Sequence, residues 1–210
     1  MVRAKMDPRT QSSIDAYGPV AREYRDQVRL RRPVADVRRF ASFARRDDLV
    51  LDVGCGPAND LRVLRDAGLH PVGIDLSVGA LTEARILLPR HPLVYADFED
   101  PPFLDRSFGG LWMSGAFAHL PRERWRDVLA RLLRLVGSGP VYFTCHRGRA
   151  DLDPFNDPLL GEIHVSAAME DEVEALLRSL GITDLSVDVR PDMRLDRRVP
   201  WVVALGRLKG

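Results

Sequence analysis

Short apolar runs alternate with amphipathic stretches along most of the chain. Leu49–Val53, broken only by Asp52, is long enough for a buried strand, and it runs into Gly54 and Gly56. Pro71–Ile74 and Leu93–Ala96 are similar runs, ending at Asp75 and at Asp97-Phe98. Gly110–Met113 and Val141–Thr144 read as the fourth and fifth strands. Between them the spacing predicts helices over Asn59–Ala67, stopped by Gly68, over Ser77–Leu88 with Ser77 as N-cap, and over Arg122–Leu135. In the last of these, Trp125, Val128, Leu129, Leu132 and Leu133 form the buried side. Strands separated by helices in this rhythm imply right-handed crossovers and a parallel sheet, an α/β fold of the doubly wound, Rossmann-like kind.

The ends of the chain depart from that rhythm. Met1–Ser12 has no periodicity and reads as a mobile segment. Ser13 can cap a helix through about Arg31, with Ile14, Tyr17, Val20, Ala21, Tyr24 and Val28 on one stripe. Pro33 breaks it, and Val34–Phe43 forms a second helix, so 13–46 is a helical cap on a core of 47–210. Residues 149–168, which include Pro154 and Pro158, read as a long loop or lid. A helix over Met169–Leu180 follows. Asp184–Val189 and Trp201–Leu205 then make a closing antiparallel hairpin.

Composition narrows the class. The 210 residues, 45% hydrophobic, suffice for one domain with a full core. With no apolar stretch fit for a leader or a membrane span, the expectation is a cytoplasmic protein with no membrane partner. Cys55 and Cys145 have no paired metal spacing and read as reduced and structural, and no metal is expected. The net charge of +1 hides an asymmetry: residues 1–46 carry 12 basic and 5 acidic side chains, a local +7, leaving −6 elsewhere. No aromatic platform is interleaved with those arginines, so a solvated helix accounts for them better than an RNA-binding arm. Residues 151–177 hold eight acids and no lysine or arginine, which would suit a cationic acceptor or clasp the basic helix; an ordinary solvated face is the plain alternative.

The chemistry centres on Leu49–Asp60. Strand, glycine turn and helix together aim backbone N–H groups at a ligand over the strand's end, and the glycines let the backbone approach it closely. A dinucleotide fingerprint would have a third glycine where Asn59 stands, which counts against a nicotinamide dehydrogenase. Asp52, two residues before Gly54, opposes a pyrophosphate and favours a cationic ligand. Asp75 can accept hydrogen bonds from both hydroxyls of a ribose, and Asp97 with Phe98 offers an acceptor and an apolar wall to an adenine.

Val50–Ala58 resembles the first motif of class I S-adenosylmethionine-dependent methyltransferases. Gly73-Ile74-Asp75-Leu76-Ser77 resembles their second-strand motif and Ala96-Asp97-Phe98 their adenine-contacting motif. Phe108–Pro121 is similar to the fourth-strand segment of the small-molecule branch, and Tyr17 and Tyr24 to the paired tyrosines of its N-terminal helix. Ala58 departs from the family, which often has a third glycine there. The resemblance implies a predominantly parallel seven-stranded sheet with an antiparallel last strand, and the cofactor S-adenosyl-L-methionine with S-adenosyl-L-homocysteine as product. The implied cofactor residues are Tyr17, Asp52, Gly54, Gly56, Pro57, Asp75, Leu76, Asp97, Phe98 and Ser114.

It also implies methyl transfer to an O or N atom of a small-molecule acceptor, not to nucleic acid. The loop after Met113 lacks the Asp/Asn-Pro-Pro-aromatic tetrad of base amino-methylation, a Pro-Cys nucleophile and a carboxylate cluster for magnesium. His119 remains as the candidate general base, against the alternative of a histidine that only shapes the pocket. Tyr24, Phe117, His146 and His164 are the candidate acceptor contacts. A catalytically silent cofactor-binding protein serving a partner is the competing reading.

Overall fold

The computed structural model describes residues 7–28, 33–45, 47–191 and 199–210. Two helices, α1 (Pro8–Val28) and α2 (Val34–Phe43), precede the alternating part: β1 (Leu49–Val53), α3 (Asn59–Asp66), β2 (His70–Asp75), α4 (Val78–Leu87), β3 (Leu93–Tyr95), β4 (Gly110–Ser114), α5 (Arg122–Arg134) and β5 (Gly139–Arg147). A hairpin, β6 (Leu152–Asp157) and β7 (Gly161–Val165), leads through β8 (Ala167–Ala168) to α6 (Glu170–Ser179), β9 (Ile182–Arg190) and β10 (Trp201–Leu208).

Seven strands lie in the order β3-β2-β1-β4-β5-β10-β9, with β8 added beside β5. Pairing is parallel from β3 to β5, and β10 runs antiparallel to both of its neighbours. The expected topology is present, with β8 in addition.

Both faces of the sheet are covered, and side-chain alternation sorts each strand between two cores. Leu51 and Val53 of β1, Leu111 and Met113 of β4, and Val141 and Phe143 of β5 face Val128, Leu129 and Leu132 of α5 and Val173 and Leu177 of α6. Val50, Trp112 and Tyr142 point the other way, against Val37 and Phe40 of α2 and Leu64 of α3. The Trp112 and Tyr142 rings stack there at 3.7 Å. Cys55 and Cys145 are free and buried, and burial pushes the Cys145 thiol up to about 12. No helix among the described residues is long and apolar enough to cross a membrane.

Three expectations need correction. α1 begins at Pro8, not Ser13: the Asp7 carboxylate accepts the Arg9 N–H at 2.8 Å and Pro8 stands at the first helical position, a start signal that the polar composition obscures. Residues 8–12, assigned above to a mobile segment, are therefore helical; 1–6 and 29–32 lie outside the described residues. Finally, 149–168 is not a loop. It holds the β6–β7 hairpin, where the register shifts between Leu152 and Phe155 around Pro154. A two-stranded ribbon leaves each strand an unpaired edge on which a proline is tolerated.

Candidate active site

The parallel strands all end on the side where the loops after β1, β2 and β4 converge. One cleft opens there, with an empty volume of about 1320 Å³ including its mouth. Its floor is the turn after β1. Gly54 and Gly56 both adopt left-handed backbone conformations (φ +64° and +52°). A Cβ on Gly54 would lie 2.7 Å from that of Ala116, whereas one on Gly56 would project into open space. Gly54 is thus required by packing and conformation together, and Gly56 keeps a cradle clear.

Asp75, at the end of β2, ties this turn to the next. One carboxylate oxygen accepts the Gly56 N–H at 2.8 Å and the other the Ser77 N–H at 2.7 Å, while the Ser77 hydroxyl caps α4 by accepting the Ala80 N–H. Burial raises the Asp75 pKa, against the lowering effect of those N–H groups. Asp52 is 2% exposed, and its Oδ2 has no hydrogen-bond partner among the described residues. Burial first, then the carboxylates of Asp60 and Asp75, hold its pKa well above the ordinary range. A buried, unpartnered carboxylate lining a cavity is a place for a cationic or hydrogen-bonding ligand group.

The cap closes the cleft from above. The Thr10 hydroxyl donates to the His119 carbonyl at 3.1 Å, and Asn59 Nδ2 donates to the Arg25 carbonyl at 3.1 Å. Tyr17 Oη lies 3.0 Å from His119 Nε2, and its ring meets that of Tyr24 edge-on at 4.9 Å. His119 ends a single 3₁₀ turn, Ala116–His119, that follows β4. Beside it, the His146 and Trp201 rings lie 4.0 Å apart, and β6–β7 contributes Phe155, Asp157, Ile163 and Val165.

Of the residues singled out from sequence, Tyr17, Tyr24, Asp52, Gly54, Gly56, Pro57, Asp75, Leu76, Phe98, Ser114, His119 and His146 all line this cleft. Three do not. Phe117 is fully buried, turned by the 3₁₀ geometry onto Phe98, Trp125 and Phe143, so it belongs to the core. His164 faces away because its strand neighbours Ile163 and Val165 face in; its Nε2 lies 3.0 Å from Ser166 Oγ and 3.7 Å from Asp151. Asp97 uses Oδ1 to accept the Glu99 N–H at 2.9 Å and is not among the residues that line the cleft.

Ser13, Phe155, Asp157 and Trp201 line the cleft without having been singled out for it. The first would have followed from the Asp7-Pro8 start signal. The hairpin residues carry no local signal that distinguishes them from a polar loop. Among the described residues, no group of three or more His, Cys, Asp or Glu is placed to hold a metal ion.

Residues 50–139 match the family model described as a methyltransferase domain. The malonyl-acyl-carrier-protein O-methyltransferase of Enterobacter lignolyticus is 33% identical over 126 residues, covering 60% of this chain and 49% of that protein. The sarcosine/dimethylglycine N-methyltransferase of Halorhodospira halochloris is 28% identical, covering 74% and 62%. The chain spans about half the length of the first of these curated relatives. Among solved structures, a Burkholderia thailandensis 1,6-didemethyltoxoflavin-N1-methyltransferase superposes with a TM-score of 0.72 at 17% identity, covering 100% of this chain and 94% of that one. Sequence match, strand order and the glycine turn with its two aspartates agree: residues 50–139 match a methyltransferase domain, set in a sheet of the Rossmann-like methyltransferase order.

Proposed function

We propose that the chain binds S-adenosyl-L-methionine in this cleft and transfers its methyl group to an oxygen or nitrogen of a small-molecule acceptor, releasing S-adenosyl-L-homocysteine. The observation that carries the reading is the Asp75 carboxylate, which lines the cleft and anchors the glycine turn through one oxygen and the α4 cap through the other. Each oxygen keeps acceptor capacity, which suits the two neighbouring hydroxyls of a ribose. Asp52 Oδ2, without a hydrogen-bond partner among the described residues, suits the ammonium of the methionine portion, directly or through a water, and Gly56 leaves room for that portion to pass. Phe98 gives the adenine a wall.

Bound there, the sulfonium supplies a methyl group that is already activated, so the side chains have to align the acceptor, exclude water and handle one proton. The cap and the hairpin cover the cleft. His119 is the proton acceptor of this reading. Tyr17 Oη can donate to Nε2 of the neutral imidazole or accept from the protonated one, so it steadies the ring in both states.

Calorimetric titration of S-adenosylmethionine into wild type and Asp75→Ala tests the reading, with NAD as control. The expected result is saturable binding to wild type, lost in a variant whose circular dichroism is unchanged, and no heat with NAD. Absence of binding of both S-adenosylmethionine and S-adenosylhomocysteine to wild type would overturn it.

A further inference from the structure

The four residues of the 3₁₀ turn after β4 each meet a different part of the molecule. Ala116 limits how the glycine turn can be built, since a Cβ on Gly54 would lie 2.7 Å from its own. The ring of Phe117 stacks on that of Phe98 at 5.7 Å and 27°. Ala118 packs with Leu160, Ile163 and Val165, and its carbonyl accepts the Ser166 N–H at 2.7 Å, which pins the end of the β6–β7 hairpin. His119 is met by Thr10 and Tyr17 of α1. At three residues per turn these side chains point in fixed relative directions, so a displacement of one is passed to the others.

Phe117 anchors that turn. It is fully buried, with its ring 5.3 Å from Phe143 and 6.0 Å from Trp125, both T-shaped contacts. The Trp125 indole N–H in turn donates to the Leu120 carbonyl at 2.8 Å, just past the turn's end. Phe98 differs in being only partly buried and in lining the cleft. The Phe98–Phe117 pair therefore joins the wall of the cleft to the turn that carries His119. A leucine at 117 would fill much of the same volume, but it would give Phe98 no flat face to rest on.

We infer that Phe117 is a positioning residue that couples the cofactor's adenine to the acceptor side of the cleft. The inference rests on the methyltransferase reading above, which puts the adenine against Phe98. A base stacked on Phe98 takes away that ring's freedom to tilt. Phe98 then confines Phe117, and the turn is held with His119 in place and the Ala118–Ser166 hydrogen bond closed. Cofactor binding thus steadies the hairpin before any acceptor arrives. The coupling is reciprocal, so a turn loosened at position 117 binds the cofactor less tightly.

S-adenosylhomocysteine, which needs no acceptor, tests the inference by two readouts on wild type, Phe98→Leu, Phe117→Leu and the double variant. In calorimetric titration each single substitution should weaken binding by about tenfold. The double variant should lose at most about threefold more, because Phe117 acts through Phe98. The second readout is hydrogen exchange of the Ser166 amide, with each protein at the same multiple of its own Kd. Amides of β9, at the far edge of the sheet, report the general stabilisation that any ligand confers. In wild type the ligand should slow Ser166 at least about fivefold more than β9, and in Phe117→Leu less than about twofold more. Should Phe117→Leu fail to fold by circular dichroism, Phe98→Leu on the cleft wall carries the exchange test, with the same loss expected. Additive losses in the double variant, no extra slowing of Ser166 in wild type, or undiminished slowing in either single variant each overturns the inference while cofactor binding stands. Failure of S-adenosylhomocysteine to bind wild type removes the methyltransferase reading and the inference with it.

Discussion

At the scale of single residues, the site holds charges that the empty protein would be more stable without. Asp52 is buried and carries one oxygen with no hydrogen-bond partner among the described residues, and its folded pKa lies above the ordinary 3.8. In acid the carboxyl is protonated in both folded and unfolded states and nothing is lost. As pH rises past 3.8 the unfolded state ionises first, so stability falls until the folded pKa is reached. Asp52→Asn is therefore expected to stabilise the ligand-free protein at neutral pH by about 1–3 kcal/mol. The gain should shrink toward about pH 4, and S-adenosylmethionine affinity should fall. Urea denaturation at several pH values measures this; a variant less stable than wild type at neutral pH would show that Asp52 supports the turn instead. Ala58 poses the opposite question. It has a φ of +65°, where glycine is at ease, yet its methyl is fully buried beside Leu61 and Ala84. Relief of about 1 kcal/mol of strain is offset by about 0.8 kcal/mol of lost burial and the flexibility of glycine in the unfolded chain. Ala58→Gly should thus change stability by less than about 1 kcal/mol by the same denaturation. Spacing made the place of Gly54, Gly56 and Asp52 in the cleft legible, because they belong to one strand–turn–helix unit, and that of Asp75 because it ends the next strand. Phe117 was not legible, since only the 3₁₀ turn decides which way that ring faces.

At the scale of elements, the parallel strands and their helices could be read from periodicity because each is buried on a fixed face and bounded by glycine, proline or a cap. The β6–β7 hairpin could not. Its prolines and acids describe a loop, and it is a hairpin because its apolar side has α1 and Ala118 to pack against. The cap itself is held at close quarters. A Cβ on Gly79 of α4 would lie 2.6 Å from the Gly18 carbonyl oxygen and 3.0 Å from its Cα. Both are backbone atoms, which cannot rotate aside, so in Gly79→Ala the two helices must separate. The strain of about 1–3 kcal/mol exceeds the gain of up to about 1 kcal/mol in helix propensity. The loss should be local: faster hydrogen exchange in α1 and weaker S-adenosylmethionine binding, with the sheet amides as protected as before. Unchanged exchange in α1 would mean that the cap does not rest on this contact.

At the scale of the whole molecule, the basic N-terminal part of the chain is joined to the acidic remainder by ion pairs of α1. The N-terminal 46 residues carry +7 and the rest −6, and α1 meets the body through Arg9–Glu123 at 2.9 Å and Arg25–Glu83 at 2.5 Å. These pairs lie at or near the surface, each worth about 0.2–1 kcal/mol, and salt screens such pairs. The carboxylates of Asp52 and Asp75 lie inside, under the cap, where screening is weak. S-adenosylmethionine and S-adenosylhomocysteine differ only by the sulfonium charge and its methyl group. Raising the ionic strength should loosen the cap equally for both, weakening each by about two- to thirtyfold, because two surface pairs contribute together about 0.4–2 kcal/mol. The ratio of the two affinities should hold within about twofold, since the groups that sense the sulfonium are out of reach of the electrolyte. Calorimetric titration of both ligands across a salt series separates the two effects. A ratio that drifts toward one as salt rises would place those carboxylates in contact with bulk solvent, and the cap would then be open in solution.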